Sequence, residues 1–378
     1  MLRAVDWNLN MPAISKLTIT GYKSIRELRE FEMRDLNVLI GANGAGKSNF
    51  VGLFRMLAEM YGERFQLHVA TEAGADALLH HGRKRTAGIE AELDFGDSGS
   101  YEFSLVPTND NRLLFEREIV LQHDFGRTTL TGGHAESLFP GYVQAVRANL
   151  NGRDLEYFES TNPPIDRIRV YHFHDTGDSA RVKQIQQSND HLRLKPDASN
   201  LAPFLRMLRE QHGIHARMIV DSIRLVAPFF HDFVYRDGDP ATVELEWTEK
   251  GDPDTPHKAH RLSDGTLRFI CLATLLQQPW DLMPPIILLD EPELGLHPFA
   301  INILASLLKR ASERRQLIVA TQSIQLLSCL EPEDVIVVDR KDDASTFRRL
   351  DEAQLSVWLD DYSLGELWEM NVLGGRPA

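Results

Sequence analysis

The chain has 378 residues, 43% of them hydrophobic and 25% charged, which is the make-up of a globular protein with more than one core. A formal net charge of −14 excludes a bulk polycation, so any contact with nucleic acid falls to local basic patches. No run reaches the roughly 18–20 apolar residues of a membrane span, and two cysteines, Cys271 and Cys329, make neither a disulfide framework nor a thiolate metal site.

Residues 1–12 lack periodicity and read as an extension, with Met11 as a second candidate start and no apolar core of a signal peptide. A reducing cytoplasm is the expected compartment. Residues 14–20 alternate in the period of a strand, and a second strand is expected over residues 36–40. Phe50, Leu53, Phe54 and Leu57 share one face of a helix expected from Lys47 to about Met60. Short alternating runs broken by turn residues predict antiparallel β structure from residue 89 to 158. Residues 167–173 read as a central strand, residues 198–233 as a small helical lobe, residues 242–247 as β, and residues 251–254 as a polar loop. In the final third helices and strands alternate, and no heptad run or internal repeat appears. The expected domains are the extension, residues 13–178, residues 179–258 and residues 259–378.

Between the 36–40 strand and the helix that follows stands Gly41-Ala42-Asn43-Gly44-Ala45-Gly46-Lys47-Ser48, a full G-x-x-x-x-G-K-[ST] match in the strand–turn–helix setting the motif requires. Its glycines let backbone N–H groups turn inward around phosphate oxygens without a Cβ in the way. Lys47 brings a charge to the β- and γ-phosphates, Ser48 brings a hydroxyl to Mg²⁺, and the helix N-terminus adds partial positive charge. The expected ligands are ATP and Mg²⁺, held by Gly41, Asn43, Gly44, Ala45, Gly46, Lys47 and Ser48.

Far downstream, Ile286-Ile287-Leu288-Leu289 suits a parallel strand buried on both faces, and it ends in Asp290-Glu291. Ligands of such sheets bind at the carboxyl ends of the strands. Asp290 is placed to hold Mg²⁺, and Glu291 to orient and polarise the attacking water. Before that strand lies Arg261-Leu262-Ser263-Asp264-Gly265-Thr266, then an apolar helix. Ser263 can cap the helix, leaving its hydroxyl and the N–H of Gly265 for an anion. The same residues also suit an ordinary capped helix.

In this order the three elements resemble the ATPase head of the ABC class. Leu262 to Thr266 looks like a variant signature, and Glu293 to Pro298 holds the D-loop position. Gly21-Tyr22-Lys23-Ser24-Ile25 ahead of the loop, and Asn49 after it, resemble the SMC/RecF branch. The run Asp290-Glu291-Pro292-Glu293-Leu294-Gly295-Leu296-His297-Pro298 is similar to that of compact RecF-like ATPases, some of them filed as AAA-type. The resemblance covers the chain from about Ile14 to Pro377. It implies an α/β P-loop NTPase fold: an ABC-ATPase head with a central, mostly parallel sheet, an antiparallel β region and a small helical lobe. It implies ATP hydrolysis with Lys47, Glu291 and Gln322 in catalytic roles, and Asn49, Ser263 and Gly265 as further nucleotide contacts. Gln322 stands where many ABC heads carry a switch histidine; a glutamine can donate one hydrogen bond to a γ-phosphate but cannot become charged. The strand end Tyr171-His172-Phe173-His174-Asp175 holds no glutamine where a Q-loop is expected, and His174 is the residue carried forward there.

ABC sites are composite, so the resemblance also implies an ATP-dependent homodimer. It implies DNA repair or genome maintenance, or phage defence with a separate effector such as a nuclease. The basic clusters open to sequence-independent DNA binding are Arg83-Lys84-Arg85, Lys183 with Arg193 and Lys195, and Lys309-Arg310 with Arg314-Arg315. A membrane partner is not expected, and a transporter ATPase is the weaker reading. Residues 335–339 followed by Asp342-Asp343 look superficially like a TOPRIM acidic strand, but they sit where the last strand of a head belongs.

Overall fold

Alternation at the start of the chain becomes the strand Lys16–Tyr22, paired antiparallel with Ile25–Glu32 on one side and Ile89–Asp94 on the other. The computed structural model describes residues 12–122, 126–236 and 241–375; the extension, Pro12 apart, lies outside them. Two compact units are present. The first comprises residues 1–169, 336–349 and 374–378, and the second residues 170–335 and 350–373.

In the first unit the antiparallel sheet continues through Ser100–Pro107, Leu113–Gln122 and Gly126–Leu130. Its register aligns Leu17 with Leu93 and Leu93 with Tyr101, and likewise Ile19 with Ala91 and Ala91 with Phe103. These buried side chains therefore share one face, as the two-residue period demands. The β pattern expected to residue 158 stops earlier, because Phe139–Asn149 and Gly152–Thr161 are helices. Phe139 and Val143 are buried at helical spacing, and a proline in the first turn suits a helix start. Fully buried Glu118 anchors that start: it accepts from Leu138 N (2.9 Å), from Tyr101 Oη (2.6 Å) and from Ser137 Oγ (2.5 Å). The same unit holds the wholly buried strand Leu36–Ile40, beside Val335–Lys341 and its antiparallel partner Ala344–Arg349.

In the second unit Ile286–Asp290 pairs in parallel with Gln316–Thr321, and Ile168–Tyr171 lies on its other side as an edge strand rather than a central one. The helix Asp264–Gln277 is buried from Leu267 onward, with Gly213–Val226 and Pro298–Ser312 packed on it. Leu201–Gln211 completes the helical lobe, whose end at Phe230–Val234 is a strand of a small antiparallel sheet with Glu246–Glu249 and Asp252–Lys258. The last of these replaces the expected loop. Its residues are almost all exposed, so no apolar alternation marks it in the sequence. Among the described residues no helix is long and apolar enough to cross a membrane.

Candidate functional site

The loop from Gly41 to Ser48 leaves the buried strand Leu36–Ile40 and enters the helix Lys47–Tyr61 in the first unit. Gly44 and Gly46 have φ of 80° and 121°, conformations that side chains disfavour. At Gly46 space is missing too, since a Cβ would lie 2.0 Å from Ser345 Oγ and 2.8 Å from Ser24 Oγ. Those two hydroxyls brace the loop from behind. Ser345 Oγ donates to Ala45 O (2.5 Å) and accepts from Ser24 Oγ (2.7 Å), which in turn accepts from Asn49 Nδ2 (2.7 Å). Asn49 thus directs its amide donor at the brace. Lys47 is buried, its ammonium held by Gly41 O (2.6 Å) and Ala42 O (3.2 Å) across the inside of the loop. Asn43, Gly44 and Ser48 are exposed, and the helix begins at Gly46 with no side-chain cap. A narrow glycine turn, a lysine folded inside it and an uncapped helix start together fit a polyphosphate. Ser48 in this unit, and Asp290 in the other, each carry a hard oxygen donor of the kind that suits Mg²⁺.

The acids lie in the second unit. The strand Ile286–Asp290 is buried through Leu289 and opens to solvent at Asp290. Glu291 follows with φ 43°, while its N–H still donates to Ala320 O on the neighbouring strand (2.7 Å). A non-glycine residue held there costs roughly 1–3 kcal/mol, so the surrounding bonds must impose it. Gln322, which follows the neighbouring strand, donates from Nε2 to Glu291 Oε1. Glu293 lies beneath this pair. Its Oε1 accepts from Thr321 Oγ1 (2.6 Å) and from Gln322 N (3.3 Å), while its Oε2 is buried without a protein partner. Burial pushes the Glu293 carboxyl above the ordinary carboxylate range. His174 reaches Asp290 through the backbone, with Nε2 2.9 Å from the carbonyl oxygen.

Arg268 is a functional candidate the sequence does not flag. It is buried in the helix Asp264–Gln277 and donates to Phe173 O (2.9 Å), His174 O (3.1 Å) and Leu294 O. It therefore ties the segment after Ile168–Tyr171 to the turn that follows Glu291. Its only trace in the sequence is a lone charge in the apolar run 267–276. At the head of the same helix, exposed Ser263 caps through Thr266 N (3.1 Å). Gly265 is required by packing, because a Cβ there would lie 2.4 Å from Gly295 O. Lys183 is buried beside this start, 3.6 Å from Asp264 Oδ1. It is therefore not a free DNA-facing cation.

The other basic clusters are also partly engaged. Arg83 donates to Asp76 Oδ1 (2.8 Å), Thr108 O (2.6 Å) and Asn111 Oδ1 (2.5 Å), which leaves Lys84 and Arg85 as the exposed pair. Lys195 pairs with Asp190, Lys309 with Glu331, and Arg315 holds the carbonyls of Met283 and Trp280. His80 and His81 meet edge to face, with ring centroids 4.2 Å apart, and no group of three His, Cys, Asp or Glu able to hold a metal occurs among the described residues.

A family model described as "AAA domain, putative AbiEii toxin, Type IV TA system" matches residues 36–128 and 146–328. No curated protein matches the chain. Among solved structures, "Crystal structure of the SmcHead bound to the C-winged helix domain of ScpA" aligns with a TM-score of 0.60 at 17% identity, covering 91% of this chain and 99% of that one. The Smc head domain with an extended coiled coil, bound to the C-terminal domain of ScpA and derived from Pyrococcus furiosus, aligns with a TM-score of 0.56 at 15% identity, covering 93% and 99%. The fold is that of an SMC-type ABC-ATPase head. Among the described residues the longest helices run 15 residues, and none forms a coiled-coil arm.

Proposed function

We propose, from the premise that the chain belongs to this AAA-domain family, that it binds and hydrolyses ATP as an ATP-dependent homodimer serving DNA repair or genome maintenance. The observation that carries the reading is the braced loop, in which Ser345 and Ser24 fix the turn around Lys47. Lys47 moves its ammonium from the loop carbonyls to the terminal phosphates, and the N–H groups from Gly44 to Ser48 donate to the phosphate oxygens. Ser48 and Asp290 are the residues that would hold Mg²⁺, which would supply neutralisation of phosphate charge. Glu291 takes the proton of the attacking water, and Gln322 holds Glu291 in place through its amide. Asn43 within the loop and Asn49 just after it add nucleotide contacts, and Ser263 and Gly265 close over a nucleotide held by a second copy.

Mixing two inactive variants tests the composite site. Ser263→Arg adds bulk to an exposed cap and leaves the loop of its own chain intact, whereas Lys47→Ala removes the loop's charge. Each alone is expected to be inactive. Mixed one to one they should regain about a quarter of parental turnover, since half of random pairs are mixed and each has one intact site. Absence of recovery in demonstrated mixed dimers, or full turnover by a monomer, overturns the composite site.

The family description, with its toxin–antitoxin wording, favours a second reading in which the ATPase controls a separate effector. DNA binding separates the two. In the first reading Lys84→Glu with Arg85→Glu should weaken binding to DNA of any sequence by about tenfold, flatten its salt dependence and leave ATP affinity unchanged. Arg83 is left in place because its bonds hold the loop. An unaltered DNA isotherm removes this pair from the interface, and no DNA binding at all favours the effector reading.

A further inference from the structure

Near its C-terminal end the second unit shows large apolar side chains to water. The helix Glu352–Leu359 buries only Leu355. Val357 is 82% exposed, Trp358 43% and Tyr362 40%. Tyr362 N donates to Trp358 O (2.9 Å), which prolongs the helix by a turn, and the two rings lie 6.3 Å apart. Three adjoining exposed side chains of this size mark an interaction surface more often than a plain one.

The charged residues of the segment that carries this ridge are all of one sign. Asp351, Glu352, Asp360, Asp361, Glu366 and Glu369 are exposed along residues 351–369, and no lysine or arginine occurs from Leu350 to Gly375. DNA and anionic lipid are repelled by such a face. A second copy is disfavoured as well, because a two-fold contact would set these acids against themselves in a chain already at −14. The one class of occupant whose charge complements the rim is a basic protein segment. The exposed ridge of Trp358 and Tyr362, four residues apart, is the shape that an opposing helix packs against.

We infer that the face formed by Val357, Trp358 and Tyr362 docks an amphipathic helix of another protein, with leucine-like side chains on the ridge and lysine or arginine against the acidic rim. None of these residues belongs to the nucleotide loops, so the inference stands apart from the function proposed above.

The test uses the full chain without nucleotide, a labelled leucine–lysine peptide in helical register, and its leucine–glutamate counterpart. The lysine peptide should bind and slow amide exchange over residues 352–362, and the glutamate peptide should not. Val357→Ser with Trp358→Ser should weaken binding at least about tenfold. Asp360→Lys with Asp361→Lys should weaken it similarly and admit the glutamate peptide. Both variants alter exposed residues and should keep parental ATP affinity, which reports the fold. Equal binding of the two peptides, or protection confined to other residues, overturns the inference. So does protection of residues 352–362 by duplex DNA, or a nucleotide-free dimer that the serine variant dissociates.

Discussion

Glu291→Gln is expected to bind ATP as tightly as the parent and to turn it over at least about 10²-fold more slowly. The exchange preserves shape: the new amide oxygen still accepts from Gln322 Nε2, and the backbone N–H still holds Ala320 O. What disappears is a base able to take a proton from water. The loop around Lys47 is untouched, so affinity and turnover should separate. Nucleotide titration beside a steady-state phosphate-release assay reads both. Turnover at the parental rate removes Glu291 from the chemistry.

Lys47→Ala should act on the other quantity. The ammonium is buried and rests on two carbonyls of its own loop, so it already points into the turn that phosphates would fill. A charge-assisted bond of this kind is worth about 1.5–3 kcal/mol, which corresponds to a loss of about 10- to 150-fold in affinity. The brace from Ser345 and Ser24 does not involve the lysine side chain, so the melting temperature should change little. Parental affinity for ATP in a folded Lys47→Ala protein removes the loop from nucleotide binding.

These two candidate sites stand out in the sequence for a physical reason. A phosphate loop and an acidic strand end are local devices whose residues lie side by side in the chain. The same holds for the buried strand Ile286–Asp290 and the apolar helix Asp264–Gln277. Contacts over long separation leave no such trace. Ser345 reads as an unremarked serine on a hairpin, yet it closes the loop near residue 45. Arg268 reads as a stray charge, and its three carbonyl partners come from segments far apart in sequence. The helix Phe139–Asn149 was obscured because its alternation over a few residues mimics a strand, although Pro140 marked its start. The strand Asp252–Lys258 was hidden by its exposure, since an edge strand with no buried face has no pattern to show.

The brace also ties the nucleotide loop to the order in which the chain is made. Residues 41–48 leave the ribosome early, but Ser345, which supports Ala45 and fills the space behind Gly46, belongs to a hairpin synthesised some three hundred residues later. The first unit is assembled from segments far apart in the sequence, and the carbonyl of Gly375 accepts from Ala42 N (2.9 Å) inside the loop itself. A nascent chain therefore carries the complete motif long before it has the means to hold it in shape. Closing so long a connection is slow and comes late in folding. Loop rigidity thus waits on the hairpin, and a product truncated before it keeps the motif but lacks its support.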